Sequence, residues 1–477
     1  MLTRRELALA AAAAGLAGCA PAYTPATFPA VQSRQFPRDF IWGVATSAFQ
    51  TEGALNVDGR GPSIWDVFPR EKIADRSDAA VADDSYHRYR EDVALLQGLA
   101  AKAYRFSIAW PRVVPAGAGA INQKGVDFYS RLVDAQLEKR ITPYATLFHW
   151  DLPLALQQQH GGWANRDTAR RFAEYANIVA TRLGDRVKHF CILNEPSVHV
   201  FAGHVLGIHA PGLTDANLIG PVTHHLNLAQ GLAIQALRAA RSDLTIGTTL
   251  AITPSRPAHD GIAPLNEAAA KGFDAVWNGA FLDPLLKGLY PAQARGFIEP
   301  QLRAGDMEVI RQPVDFIGAN YYAPAYLRFD LMSQAHIAPS DPPPNTARDA
   351  FNREIDPAGM WQILKRLREE YGNPSVLITE NGCSDPFSDD PAIQDDRFRI
   401  DYLRRHLEAV KSAMEAGSRV AGYFHWTLID NWEWAEGYRS KFGFVSQDRA
   451  SSLRATKASY SWFKALAMTG RLNEAQA

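Results

Sequence analysis

The chain has 477 residues, 47% of them hydrophobic, and its 50 basic residues are balanced by 51 acidic ones. That balance gives no basis for a nucleic-acid or polyanion binder, and 34 glycines with 29 prolines are too ordinary for a disordered chain. Three cysteines, Cys19, Cys191 and Cys383, do not make a disulfide framework, and the last two read as buried free thiols.

Residues 1–18 read as an export signal, set apart from the fold. Arg4-Arg5 is a positive head, and Leu7 to Leu16 is an apolar run shorter than the roughly 20 residues a bilayer span needs. Leu16-Ala17-Gly18-Cys19 resembles a bacterial lipobox, with cleavage before Cys19 and lipid on its thiol; Thr3-Arg4-Arg5-Glu6-Leu7 resembles a twin-arginine signal. The alternative is an ordinary secretory signal with an incidental Cys19. The expected location is exported and periplasmic, with membrane attachment only through Cys19. Residues 19–35, rich in Pro, Ala and Thr, read as a flexible tether.

From Phe36 short apolar runs alternate with amphipathic segments. Strands are expected at Phe40–Ala45, Ala103–Ile108, Pro143–Phe148, Val187–Leu193, Thr245–Leu250, Asp315–Ala319, Val376–Ile378 and Val420–Phe424. Between them, Asp83-Asp84 is expected to cap a helix carrying Tyr86, Tyr89, Val93 and Leu96, and Asp167 one carrying Phe172, Tyr175, Val179 and Leu183. Further helices are expected over Gly125–Lys139, Leu226–Ala240 and Ser459–Met468. Eight strands alternating with helices predict a single (β/α)8 barrel over 36–469, followed by a tail, 470–477. The main irregular insertion is Arg328–Arg353.

Barrel enzymes carry their chemistry at the C-terminal ends of the strands. There the sequence sets Gln50 and Glu52, Arg105, His149-Trp150-Asp151, Asn194-Glu195, Asn320-Tyr321-Tyr322, Glu380, Trp426 and Glu433-Trp434. Asn381-Gly382 is expected to turn the chain away after Glu380. Two carboxylates among amides and aromatic rings suit a glycosidic bond.

These residues also carry a resemblance. The chain resembles glycoside hydrolase family 1, the β-glucosidase family, from about Phe36 to Phe463, through Gln50-Thr51-Glu52-Gly53, Tyr104-Arg105-Phe106-Ser107, His149-Trp150-Asp151-Leu152-Pro153, Asn194-Glu195-Pro196, His209-Ala210-Pro211-Gly212, Asn320-Tyr321-Tyr322, Thr379-Glu380-Asn381-Gly382 and Asp430-Asn431-Trp432-Glu433-Trp434. The resemblance implies a (β/α)8 fold and a retaining β-glycosidase with Glu380 as nucleophile and Glu195 as acid/base. It implies supporting roles for Arg105, Tyr322 and Asn320. Gln50, His149, Trp150, Asn194, Trp426, Glu433, Trp434 and Phe442 would bind the sugar. Neither cofactor nor metal is expected, and His224-His225 lacks ligand spacing. Trp65 and Trp110 read as packing.

Departures fall on the leaving-group side. The family often has Trp where Ser197 stands, and G-W-E-I where Asn352-Arg353-Glu354-Ile355 stands. These predict an altered leaving-group preference, for a smaller or more polar aglycone. Glu433 disfavours the family's phospho-sugar branch, whose members usually carry serine there. A sugar-binding protein without catalysis is the alternative from another class. The residues do not rank glucose against galactose or fucose.

Overall fold

Eight parallel strands close into a barrel in the computed structural model, which describes residues 26–333, 336–385 and 395–473. They are β1 (Ile41–Ala45), β2 (Ala103–Ser107), β3 (Thr142–Phe148), β4 (His189–Asn194), β5 (Thr245–Ala251), β6 (Phe316–Asn320), β7 (Val376–Asn381) and β8 (Val420–Trp426), and β1 pairs with both β2 and β8. All eight expected strands are present. The export signal and Cys19 lie outside the described residues.

The barrel is filled by a stagger of large and small side chains. Tyr144, Phe316, Leu377 and Phe424 share the interior with Ala45, Ala103 and Cys191. A Cβ on Gly43 would sit 2.4 Å from the Phe424 ring, so the absent side chain on β1 makes room for the large one on β8. Cys191 is thus a small apolar filler. Cys383 belongs to the outer core between barrel and helices, where burial pushes its thiol far above the ordinary range and leaves it unreactive.

Several local expectations are corrected. The helix Ser85–Gly98 has Asp84 at its N-cap in a left-handed conformation; its carboxylate meets the His87 ring at 2.5 Å instead of capping. Asp167 is the first residue of the helix Asp167–Leu183, and Asn165 accepts its N–H at 2.9 Å, while Asp167 pairs with Arg170 and Arg171. The segment Arg328–Arg353 is partly ordered: Ala325–Phe329 and Ile337–Ser340 form a small sheet with Ser255–Pro257, because Leu327 is buried against Ala269 and Ala270 of a neighbouring helix. Val445–Gln447 pairs antiparallel with Arg454–Thr456, a hairpin not expected from the sequence.

The tether expectation is also revised for its last residues. Glu415 accepts the N–H groups of Gln32 at 2.8 Å and Ser33 at 3.0 Å, and Ser412 donates to the Pro29 carbonyl at 2.7 Å. Gln35 bridges to Arg471, and Leu472 of the expected tail is buried. Backbone hydrogen bonding holds this polar stretch where composition alone indicates none.

Candidate active site

Strand β7 runs two residues past Thr379, so Asn381-Gly382 is not the expected turn. Its register against β6 slips between Ile378 and Glu380, a bulge that re-aims the Glu380 side chain. Asn381 stays in the strand, receiving the Tyr423 hydroxyl at 2.7 Å and donating to the Tyr321 carbonyl at 2.6 Å. Gly382 is needed for close approach, since a Cβ there would meet the Trp426 carbonyl at 2.2 Å.

Glu380 is buried between two donors. Arg105 Nη1 donates to Oε1 at 2.6 Å, and the Tyr322 hydroxyl donates to Oε2 at 2.9 Å. Arg105 is itself fixed by Thr146, 3.1 Å from its Nε, and by Asn194 Oδ1, 2.5 Å from Nη2. Glu195 follows β4 in a left-handed conformation, φ +45°, which is costly for a residue with a Cβ and aims its carboxyl into the mouth. Asn320 Nδ2 donates to Glu195 Oε1 at 2.9 Å.

The surroundings separate the two carboxyls. Burial, then the neighbouring charge of Glu380, push Glu195 up to about 8, so it carries a proton at neutral pH. Burial leaves Glu380 raised on balance too, although the Arg105 charge and the hydrogen bonds from Arg105 and Tyr322 offset part of that rise. Among the described residues Glu195 has no comparable cation bonded to it. The shared negative charge therefore resides on Glu380. Tyr322, raised well above its ordinary value by burial and by Glu380, remains a donor.

Hydrogen-bond logic also fixes the tautomer of His149. Arg105 can only donate, so Asn194 Oδ1 must face it and Asn194 Nδ2 must face His149 Nε2, at 3.0 Å. His149 Nε2 then accepts, and its proton sits on Nδ1. Burial and Arg105 hold its pKa far below the ordinary value, so the ring is neutral.

A cavity of about 480 Å3 opens above these groups. Glu195, Glu380, Asn320 and Tyr322 line it together with His149, Trp150, Trp426, Glu433, Trp434 and Phe442. Gln50 and Asn194 lie behind its wall, 0% and 1% exposed, and act through neighbours: Gln50 donates to Glu433 Oε2 at 2.9 Å and accepts from Ser47 at 2.7 Å. Trp150 donates to the Asn194 carbonyl at 2.9 Å and packs 4.7 Å from Trp434. Trp65 backs Trp434 at 4.7 Å, and Trp110 is buried against Tyr175, both as packing residues. Burial and Glu380 push Glu433 up to about 8.

Thr146 and Ser47 carry no expectation from sequence, and Thr379 only its place in a motif; their signal is short, a hydroxyl one to a few residues from a named site residue. His224 contacts Asp306 and Tyr290, and His225 the Trp163 carbonyl, so both are held within the fold. On the leaving-group side Ser197 is buried, whereas Arg353 lines the cavity. The Arg353 guanidinium pairs with Asp349 at 2.5 Å and lies over Phe351 at 4.6 Å and Tyr322 at 5.2 Å.

The model of glycosyl hydrolase family 1 matches residues 32–471. The chain belongs to that family. It is 42% identical over 441 residues to a 1,4-β-D-glucan glucohydrolase of Thermotoga neapolitana, covering 90% of this chain and 97% of the relative. It is 41% identical over 457 residues to a bifunctional β-D-glucosidase/β-D-fucosidase of Bifidobacterium breve, covering 90% and 97%. Among solved structures it superposes on the family 1 β-glucosidase of Thermotoga maritima with a TM-score of 0.87 at 39% identity, covering 93% of this chain and 100% of that one. The family 1 chain described here is therefore a glycoside hydrolase on a (β/α)8 barrel.

Proposed function

We propose that this hydrolase is a retaining β-glucosidase that removes terminal non-reducing β-D-glucosyl residues, with Glu380 as nucleophile and Glu195 as acid/base. The supporting observation is the unequal surroundings of two carboxyls facing one cavity: Glu380 is paired with Arg105 and Tyr322, which favours its charged form, while Glu195 is buried beside the Asn320 amide, which leaves it the better proton holder. Glu380 attacks the anomeric carbon as Glu195 gives its proton to the departing oxygen. The covalent glycosyl-enzyme is then opened by water, whose proton returns to Glu195. Such retention calls for carboxyls about 5–5.5 Å apart.

In this reading the sugar hydroxyls meet His149, Glu433 and Trp434, with Trp426 as the floor beneath the ring. Gln50 and Asn194 orient Glu433 and His149 from behind the wall. A 6-phosphate is disfavoured: Glu433 repels it when charged and offers one donor when neutral. Fucosyl and galactosyl substrates belong to the same test panel.

The test uses nitrophenyl β-D-glucoside and its galactosyl and fucosyl counterparts. Wild type is expected to release β-configured sugar first, by NMR, with glucoside turned over. Loss of turnover in Glu380→Ala and its rescue by azide as an α-glycosyl azide would support the roles. A wild type with no turnover of any arm would favour the sugar-binding alternative.

We also propose that residues 1–18 are removed on export and that the chain is held at a membrane by lipid on Cys19, with a short tether before a domain that begins near Pro29. Among the described residues no helix is long and apolar enough to cross a membrane. Cys19→Ser should move the protein from the membrane fraction to the soluble one; an unchanged distribution would count against the anchor.

A further inference from the structure

A second cavity, of about 870 Å3, adjoins the catalytic one, and the two share Trp277, Pro324, Ala325, Phe351 and Arg353 as a common wall. These residues belong to the segments after β5 and β6. The sugar-side groups Trp150, Trp434 and Glu433 belong to those after β3 and β8. The shared wall therefore lies where the aglycone leaves.

The second cavity is lined mostly by apolar side chains, with polar groups such as His336, Asp341 and Asn352 among them. Phe201, Phe273 and Trp277 form a ring cluster, with centroids 5.6 Å apart for Phe201–Trp277 and 5.1 Å for Phe273–Trp277. Leu206 and Phe297 at its rim are 59% and 49% exposed, an unusual placement for large apolar side chains around one hollow. Arg353, the charged residue of the shared wall, is neutralised by Asp349 and presents its face over Phe351. The expectation of a smaller or more polar aglycone, drawn from Ser197 and Arg353, does not fit this wall.

Resting on the glucosidase reading above, we propose that the second cavity binds the aglycone and selects β-glucosides of large apolar alcohols. Cleavage breaks the bond between anomeric carbon and glycosidic oxygen. That oxygen takes the Glu195 proton, and the product leaves as the free apolar alcohol. Its place against the catalytic cavity, across shared lining residues, favours this occupant over a protein partner.

The experiment compares kcat/KM for octyl and methyl β-D-glucoside, the former below its micellar concentration. Each buried methylene is worth up to about fourfold. An octyl-to-methyl ratio of tenfold or more, expressed mainly in KM, is expected; a smaller ratio overturns the proposal. Phe273→Gln and, at the exposed rim where folding is not at stake, Leu206→Gln are then compared with wild type. A threefold or greater fall of the ratio in either supports the assignment, and a ratio intact in both overturns it. No turnover of either glucoside would instead remove the glucosidase reading, and this inference with it.

Discussion

The hydroxyl of Thr379 donates to Oδ1 of Asn320 at 2.7 Å, and that bond sets which end of the Asn320 amide faces Glu195. With Oδ1 engaged, Nδ2 points to Glu195 Oε1 at 2.9 Å. The residue before the nucleophile thereby orients the partner of the acid/base. Thr379→Val keeps the shape and removes the donor. We expect kcat to fall about tenfold. The amide can then turn its carbonyl toward Glu195, which favours the protonated carboxyl, so the alkaline limb of the pH–rate profile should move upward. A profile and rate identical to wild type would refute the orienting role.

The pH dependence of kcat/KM follows from the same carboxyl. Glu195 titrates at about 8, and only its protonated form can assist the leaving oxygen, so activity should decline as pH rises through about 8. Glu433 also reaches about 8 and could give the same limb. Two variants separate them. Glu433→Gln should keep the limb. Glu195→Ala, assayed with a dinitrophenyl glucoside that needs no proton, should lose it. Persistence of the limb in Glu195→Ala would reassign it.

Stability should fall between pH 6.5 and 8.5. Burial raises Asp83 to about 8 and Asp151 to about 7, and Glu195 and Glu433 behave alike. Unfolded carboxyls titrate near 4, so across this window the folded state holds protons that the unfolded state has released. Stability therefore drops as pH rises through the folded values. Buried His204 and His209, lowered to about 4, act in the opposite sense but only below the unfolded histidine value of about 6.5. Asp151 alone accounts for about 1 kcal/mol of the fall. Thermal unfolding at the two pH values, with Asp151→Asn giving a shallower slope, checks this; a midpoint equal or higher at pH 8.5 would contradict it.

The helix Ile219–Ala240 touches its neighbours through glycine. A Cβ on Gly231 would lie 2.0 Å from the Val309 carbonyl oxygen, a backbone atom that cannot swing aside. Gly231→Ala should cost about 1–3 kcal/mol of unfolding free energy. Activity per folded molecule should be retained, since Gly231 lines neither cavity. Chemical denaturation beside an activity assay tests both halves.

The barrel was legible because each strand is a short apolar run, and the site because its polar residues fall beside those runs. What was not legible is long-range. Thr379 gains meaning only when β6 brings Asn320 beside it. The start of Arg328–Arg353 reads as irregular until Ser255–Pro257, far back in the chain, supplies an edge for Ala325–Phe329 to pair with. Asp84 and Asp167 have the composition of caps, yet nearby cations or imidazole take their carboxylates. Gln50 and Asn194 were read as facing sugar, and their full burial became visible only with the walls in place.

The fastening of Pro29–Gln35 sets the end of the barrel from which the N-terminal segment leaves. These residues reach the end of the helix Arg397–Glu415 and the segment after Thr469, both beside the starts of the strands. The mouth with Glu195 and Glu380 is at the opposite end. A support gripping the chain ahead of Pro29 therefore holds the barrel by its base, and the opening looks outward, toward whatever solutes approach from the far side.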